Sequence, residues 1–148
     1  LVAAVPGIVP HAVDIDSAAV ACARRNLGDG RVYEGDLDAP LPASLRGRVA
    51  VMVANAPYVP TNAIALMPPE ARDHEPRVAL DGGADGLDAQ RRVAAAAPRW
   101  LAPGGILLIE TSARQAPSTA AAIAAAGLVA RVERSEELDG TAAVGVKP

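Results

Sequence analysis

The sequence predicts an α/β protein built on a mostly parallel sheet, and three observations carry that expectation. Short apolar runs rich in β-branched residues alternate with helix-like segments in the order β-α-β-…-β-α-β-β, a pattern that needs crossover connections between parallel strands. Three of the runs stop abruptly on polar residues, at Asp14-Ile15-Asp16, at Gly35-Asp36-Leu37 and at Asn55. In sheets of this kind ligands bind beyond the carboxyl ends of the strands, so those three stops are expected along one edge. A long proline- and glycine-rich segment, 56–87, then interrupts the alternation, and in a compact domain a loop of that length marks function or mobility.

Each element has a local reason. Ile8 to Ile15 reads as a strand buried on both faces. Ser17 is a suitable N-cap for a helix over Ala18 to Leu27, with Arg24 and Arg25 in its last turn and Gly28 as its stop. Arg31 to Glu34 and Val49 to Ala54 follow as strands. Asp88 to about Leu101 reads as a helix that Pro98 bends or ends early. Ala102 to Gly105 is a turn, and Ile106 to Glu110 a further strand. Pro117 opens another helix and Gly127 closes it. Leu128 to Glu133 and Thr141 to Val146 form the final pair of strands. There is no internal repeat or linker, and a single domain over 1–148 is expected.

Composition narrows the function classes. The core has no phenylalanine and is drawn from small and branched aliphatic groups. A net charge of -3 argues against a nucleic-acid surface, which usually presents a basic face. Cys22 is alone, so neither an internal disulfide nor a zinc cluster is expected. It reads as a small buried or half-buried helix residue. Leu1 to Gly7 carries no basic leader, and prolines at 6 and 10 break the apolar run, so neither a signal peptide nor a membrane span is expected. The expected location is the cytoplasm. His11, placed in a strand, and His74, in a loop, have no partner at ligand spacing, and no metal is expected. Glu75 reads as a surface residue, the run Ala120 to Ala126 as a small-residue helix face, and Trp100 as packing.

The three strand ends carry the chemistry. A carboxylate such as Asp14 has acceptor capacity for both hydroxyls of a ribose, although it also suits a capping role at the next helix. Asp16 more simply favours the helix dipole. Gly35-Asp36 turns the chain and leaves a carboxylate that can accept from an exocyclic amine, or can serve only the turn. Asn55-Ala56-Pro57-Tyr58 is the most specific feature. The Asn55 side-chain oxygen and a neighbouring carbonyl can hold one planar NH₂ group in a single orientation, with its lone pair directed at an electrophile. Pro57 stiffens the carbonyl and Tyr58 offers a flat face. A proline turn with a half-buried tyrosine is the plain alternative.

Taken in order, these segments resemble the class I S-adenosylmethionine-dependent methyltransferases, and within them the HemK/PrmC-like protein-glutamine N5-methyltransferases. Asn55 to Tyr58 is similar to the family's Asn-Pro-Pro-Tyr hallmark. Ala12 to Asp16 looks like its ribose-binding strand end, and Glu34 to Leu41 like its adenine-side loop. His74 to Asp88 resembles the segment after its catalytic loop, and Leu101 to Glu110 its fifth strand. The resemblance implies a Rossmann-like three-layer sandwich with an antiparallel last strand. It implies S-adenosyl-L-methionine as cofactor, held around Asp14, Ile15, Asp36, Leu37 and Asn55. It also implies a protein substrate such as a peptide chain release factor, with Asn55, Ala56, Pro57 and Tyr58 holding the glutamine amide. No metal, membrane or nucleic-acid partner is implied.

Two departures accompany it. Ala56 stands where the family has proline, which keeps the carbonyl on a looser backbone. No glycine-rich run precedes Asp14, so the fold is expected to be truncated at its N-terminus and to bind cofactor better in a form extended upstream. Two other functions fit some of the residues. An N6-adenine nucleic-acid methyltransferase presents the same planar NH₂ but meets an unfavourable charge balance. A truncated, inactive domain with a binding role would explain the missing cofactor loop. A nicotinamide enzyme lacks its GxGxxG signature.

Overall fold

A computed structural model describes residues 7–27, 31–70 and 76–148. The N-terminal stretch 1–6, the proposed helix stop Gly28, and His74 and Glu75 lie outside the described residues. Contacts group the chain into two compact units, Leu1–Ala43 and Ser44–Pro148.

In the first unit, β1 (Ala12–Asp14) and β2 (Val32–Glu34) pair in parallel, Asp14 opposite Glu34, and α1 (Ser17–Leu27) connects them. Their carboxyl ends therefore lie at the same end of this two-stranded sheet. Three expectations are corrected here. β1 is shorter than Ile8 to Ile15, and Ala12 and Val13 are only half-buried, because β2 is the one strand beside it among the described residues. The helix is capped by Asp16 rather than Ser17: its Oδ1 accepts from the Ala18 amide at 2.8 Å, while its carbonyl takes the Val20 amide. Cys22 is exposed, and Arg25 Nη2 donates to its Sγ at 2.9 Å. His11 lies just before β1, stacked on Tyr33 with ring centroids 5.9 Å apart, its Nδ1 3.1 Å from the Tyr33 hydroxyl.

The second unit carries a four-stranded sheet in the order β3-β4-β6-β5, where β3 is Val49–Ala54, β4 Leu101–Glu110, β5 Val129–Ser135 and β6 Gly140–Val146. β3 and β4 pair in parallel, and β6 is antiparallel to both β4 and β5. Three strands thus run one way and the last strand runs back, as expected. The turn expected at Ala102 to Gly105 is a bulge inside β4: the ladder to β3 skips from Leu101 opposite Val49 to Ile106 opposite Val51.

Two helices, α3 (Asp88–Trp100) and α4 (Ala116–Ala125), cover the sheet face that holds Leu107 and Ile109, both fully buried. Gly145 of β6 is required there, since a Cβ would meet Ile123 Cγ2 of α4 at 2.4 Å. The opposite face exposes Val51 and Val53. Pro98 does not end α3 early. Near the helix end it removes few backbone bonds, and Lys147 Nζ donates to the Pro98 and Leu101 carbonyls at 2.7 and 2.8 Å. Trp100, 2% exposed, packs under the guanidinium groups of Arg46 and Arg99. Gly127 closes α4 with φ +86°. Among the described residues no helix is long and apolar enough to cross a membrane.

Candidate functional site

The long segment after β3 is ordered by backbone pairing. Val59 forms a parallel bridge with Asp81: its amide donates to the Leu80 carbonyl at 3.0 Å and its carbonyl accepts from Gly82 at 2.9 Å. The Thr61 amide continues the pairing to the Gly83 carbonyl, and its hydroxyl donates to Asp81 Oδ1 at 2.6 Å. That hydroxyl, then the Gly83 amide, hold the Asp81 carboxyl below its ordinary value, against some loss of hydration; Arg77 adds a smaller pull. α2, the short helix Arg77–Leu80, leads into this turn.

The turn itself is folded on glycine. A Cβ at Gly82 would lie 2.7 Å from the Gly86 carbonyl oxygen, and Gly86 has φ +78°. Asp85 pairs with Arg91 of α3 through two contacts, at 2.5 and 3.0 Å. The guanidinium lowers the Asp85 carboxyl and is itself raised by it. Both side chains are about half exposed, so the pair orients the turn more than it stabilises it.

Asn55 to Tyr58 thus spans from the end of a laddered strand, Ala54 opposite Ile109, to a pinned Tyr58-Thr61 segment. Asn55 is exposed, Ala56 is 5% exposed, and Pro57 and Tyr58 are half-buried. No described residue hydrogen-bonds to the Asn55 side chain or to the Ala56 carbonyl. Two neutral oxygen acceptors, the Asn55 side-chain oxygen and the Ala56 carbonyl, are thus left uncommitted among the described residues at a strand's carboxyl end. Beside Tyr58 opens a cleft of about 730 Å³ whose walls include Pro60, Asn62, Asp85, Ser112 and Gln115. Asn55 and Ala56 do not line it, so it extends away from the acceptor pair on the tyrosine side.

The other expected positions lie in the first unit. Asp14 is exposed, with Oδ1 accepting from the Asp16 amide at 2.9 Å, which fixes the carboxylate plane while Oδ2 has no partner among the described residues. Ile15 is 51% exposed. Asp36 follows β2 on an exposed turn, and Gly35 is required there because a Cβ would meet Pro40 Cγ at 2.9 Å. Leu37 holds φ +47°, a left-handed conformation that costs a side chain of this size roughly 1–2 kcal/mol. An exposed strand-end carboxylate has acceptor capacity for the hydroxyls of a diol. The described residues contain no cluster of metal-ligating side chains.

One group escaped the sequence reading altogether. Gln115, at the N-cap position of α4, donates through Nε2 to the Tyr58 carbonyl at 2.9 Å and to the Asp85 carbonyl at 3.2 Å. Behind it, the buried Gln90, Thr111 and Thr119 join α3, the end of β4 and α4. Thr119 donates to Gln90 Oε1 at 2.6 Å, and Gln90 Nε2 donates to the Glu110 carbonyl. Nothing local in the sequence distinguishes these residues from surface polar groups on helices.

Comparison with known proteins adds the following. The chain is 42% identical over 141 residues to a release factor glutamine methyltransferase of Thermosynechococcus vestitus, covering 91% of this chain and 48% of that protein. It is 43% identical over 128 residues to a ribosomal protein uL3 glutamine methyltransferase of Burkholderia pseudomallei, covering 80% and 41%. The chain therefore spans about half the length of the curated relatives it matches. Among solved structures, a TehB-like SAM-dependent methyltransferase of Corynebacterium glutamicum shares the fold, with TM-score 0.52 at 15% identity over 92% of this chain and 66% of that one. No protein-family model matches the chain.

Proposed function

Over the length it spans, this chain belongs to the HemK/PrmC-like glutamine methyltransferases of the class I S-adenosylmethionine-dependent fold, and we propose that it takes part in methyl transfer to the side-chain amide nitrogen of a protein glutamine. The observation that carries the proposal is the pair of uncommitted acceptors, Asn55 Oδ1 and the Ala56 carbonyl, at the end of β3. The identity to proteins named for that reaction supports it.

In this reading the Asn55 side chain and the Ala56 carbonyl accept the two N–H bonds of the glutamine amide. Accepting both fixes the plane of the group and draws electron density onto nitrogen, whose lone pair amide resonance otherwise withholds. Tyr58 lies against that plane, and Pro57 keeps the Ala56 carbonyl from swinging away. The bound cofactor would supply an electrophilic methyl group. Asp14 and Asp36 would hold its ribose and adenine, with Ile15 and Leu37 beside them. The open cleft beside Tyr58 suits residues flanking the glutamine in a protein loop, with a release factor as the substrate suggested by the relatives' names and the cytoplasm as the place of reaction.

Two experiments test this. Labelled-methyl transfer would be measured onto a release factor, a uL3 protein and double-stranded DNA. Label on protein glutamine is expected. Label on adenine alone sinks the substrate assignment. Calorimetric titration with S-adenosylhomocysteine, of this chain and of a form extended upstream, tests the cofactor, and binding by neither form refutes the methyltransferase reading.

A further inference from the structure

We propose that Gln115 is a positioning residue for the acceptor segment: its side-chain amide sets where Asn55, the Ala56 carbonyl and the Tyr58 ring stand. The inference deepens the function proposed above and rests on it for its catalytic consequence. Its geometric part stands alone.

Three lengths of chain meet at this one amide. They are the segment leaving β3, through the Tyr58 carbonyl; the glycine turn, through the Asp85 and Gly86 carbonyls; and the start of α4, which bears Gln115. Nε2 lies 2.9, 3.2 and 3.4 Å from those three oxygens. At the other end of the amide, the Ser112 hydroxyl donates to Oε1 at 2.7 Å. This surrounding fixes which end is nitrogen, since the opposite orientation would set an oxygen against three carbonyl oxygens and leave the serine donor facing NH₂.

The approach is built into the glycine turn. A Cβ on Gly86 would lie 2.4 Å from the Tyr58 oxygen and 2.5 Å from Gln115 Nε2, so only glycine lets the three segments close on the amide. The base of the clamp is rigid as well, because the buried Thr119 hydroxyl lies 3.2 Å from the Gln115 carbonyl and 2.6 Å from Gln90 Oε1. Seen along the chain, Asn55-Ala56-Pro57 hangs between the β3 ladder and a Tyr58 carbonyl whose anchor is Gln115. Without that anchor the Tyr58-Val59 peptide unit is held on one side only, by the Val59 amide on the Leu80 carbonyl.

The test uses the full chain with Gln115→Met, which keeps the side chain's bulk but not its donors, and Gln115→Glu. The Asn55 side-chain amide and Tyr58 ring signals are followed by NMR, and kcat and KM for a glutamine-containing peptide are measured separately. Gln115→Met is expected to move both sets of signals and to lower kcat roughly 10- to 100-fold with a smaller change in KM, as misplacement of a reacting geometry does. Gln115→Glu is expected to match it at pH 8 and to recover relative to the parent as pH falls and the carboxyl gains a proton to donate. A role limited to packing would not produce that recovery.

Unmoved Asn55 and Tyr58 signals with kcat within twofold of the parent would overturn the proposal. So would a Gln115→Glu variant that stays impaired at every pH, even if Gln115→Met fails to fold. A parent chain that transfers no methyl group counts against the functional reading alone, and the NMR signals still decide the clamp.

Discussion

Alanine at position 86 would place a methyl group where the Tyr58 carbonyl oxygen and the Gln115 side-chain nitrogen now sit, 2.4 and 2.5 Å from an ideal Cβ. Restoring ordinary contact requires both of them to retreat by about 1 Å. The backbone adds its own cost, since φ is +78° and an L residue in that region loses about 1–2 kcal/mol. Losing the Gln115-Tyr58 hydrogen bond adds about 1 kcal/mol, for a total near 2–3 kcal/mol. Urea unfolding followed by fluorescence of Trp100, the single tryptophan and 2% exposed within the second unit, reads this directly. Gly104→Ala is the matched control: φ is +74° and nothing lies within 4 Å of its Cβ, so it carries the backbone cost without the collision. Gly86→Ala should exceed the control by about 1 kcal/mol and, unlike the control, lower methyl transfer roughly 100-fold. Equal stability and equal transfer in the two variants would refute the reasoning.

Asn55→Ala removes an exposed side chain with no described partner. Stability should stay within about 0.5 kcal/mol while transfer falls roughly 100-fold; retained activity would refute the role given to Asn55. Asp81 gives a pH signature. Its carboxyl is held below the ordinary 3.8, so its contribution is present above that value and is lost as pH falls through the lowered one. The Thr61 and Gly83 amide signals should therefore shift only below about pH 4, and Asp81→Asn should abolish that transition. Thr119→Val leaves Gln90 Oε1, now 2.6 Å from the threonine hydroxyl, without its donor in a buried site. About 1–3 kcal/mol should be lost in urea unfolding.

The sequence made the framework legible where one residue type dictates one conformation. Pro117 at the first turn of α4, Gly127 at its close and the Gly35 turn stand where their residue types predict. The four strands of the second unit were located by their apolar runs. The misreadings arose where neighbours decide. Asp16 and Ser17 are both good caps, and only the backbone geometry selects Asp16. Pro98 ordinarily ends a helix, but it stands in the last turn of α3, where the helix is already finishing, and a lysine 49 residues away in sequence satisfies the carbonyl that the helix end leaves open.

The same distinction separates the two halves of the candidate site. Asn55 to Tyr58 are contiguous and could be read as a tetrapeptide. The group that holds them in place is 57 residues from the carbonyl it grips. A side chain acting at that range leaves no periodicity, cap or turn signal, because its partners are carbonyls that every residue possesses. What the sequence does carry is the space for it. The run Asp81 to Gly86 holds three glycines, and a Cβ on any of them would collide: on Gly82 and Gly86 where the turn closes and where the amide enters, and on Gly83 with the Asp88 carboxylate. A loop rich in glycine therefore need not be a loose one. Here glycine is the condition for tight closure, so stiffening it by substitution should slacken the acceptor segment it supports.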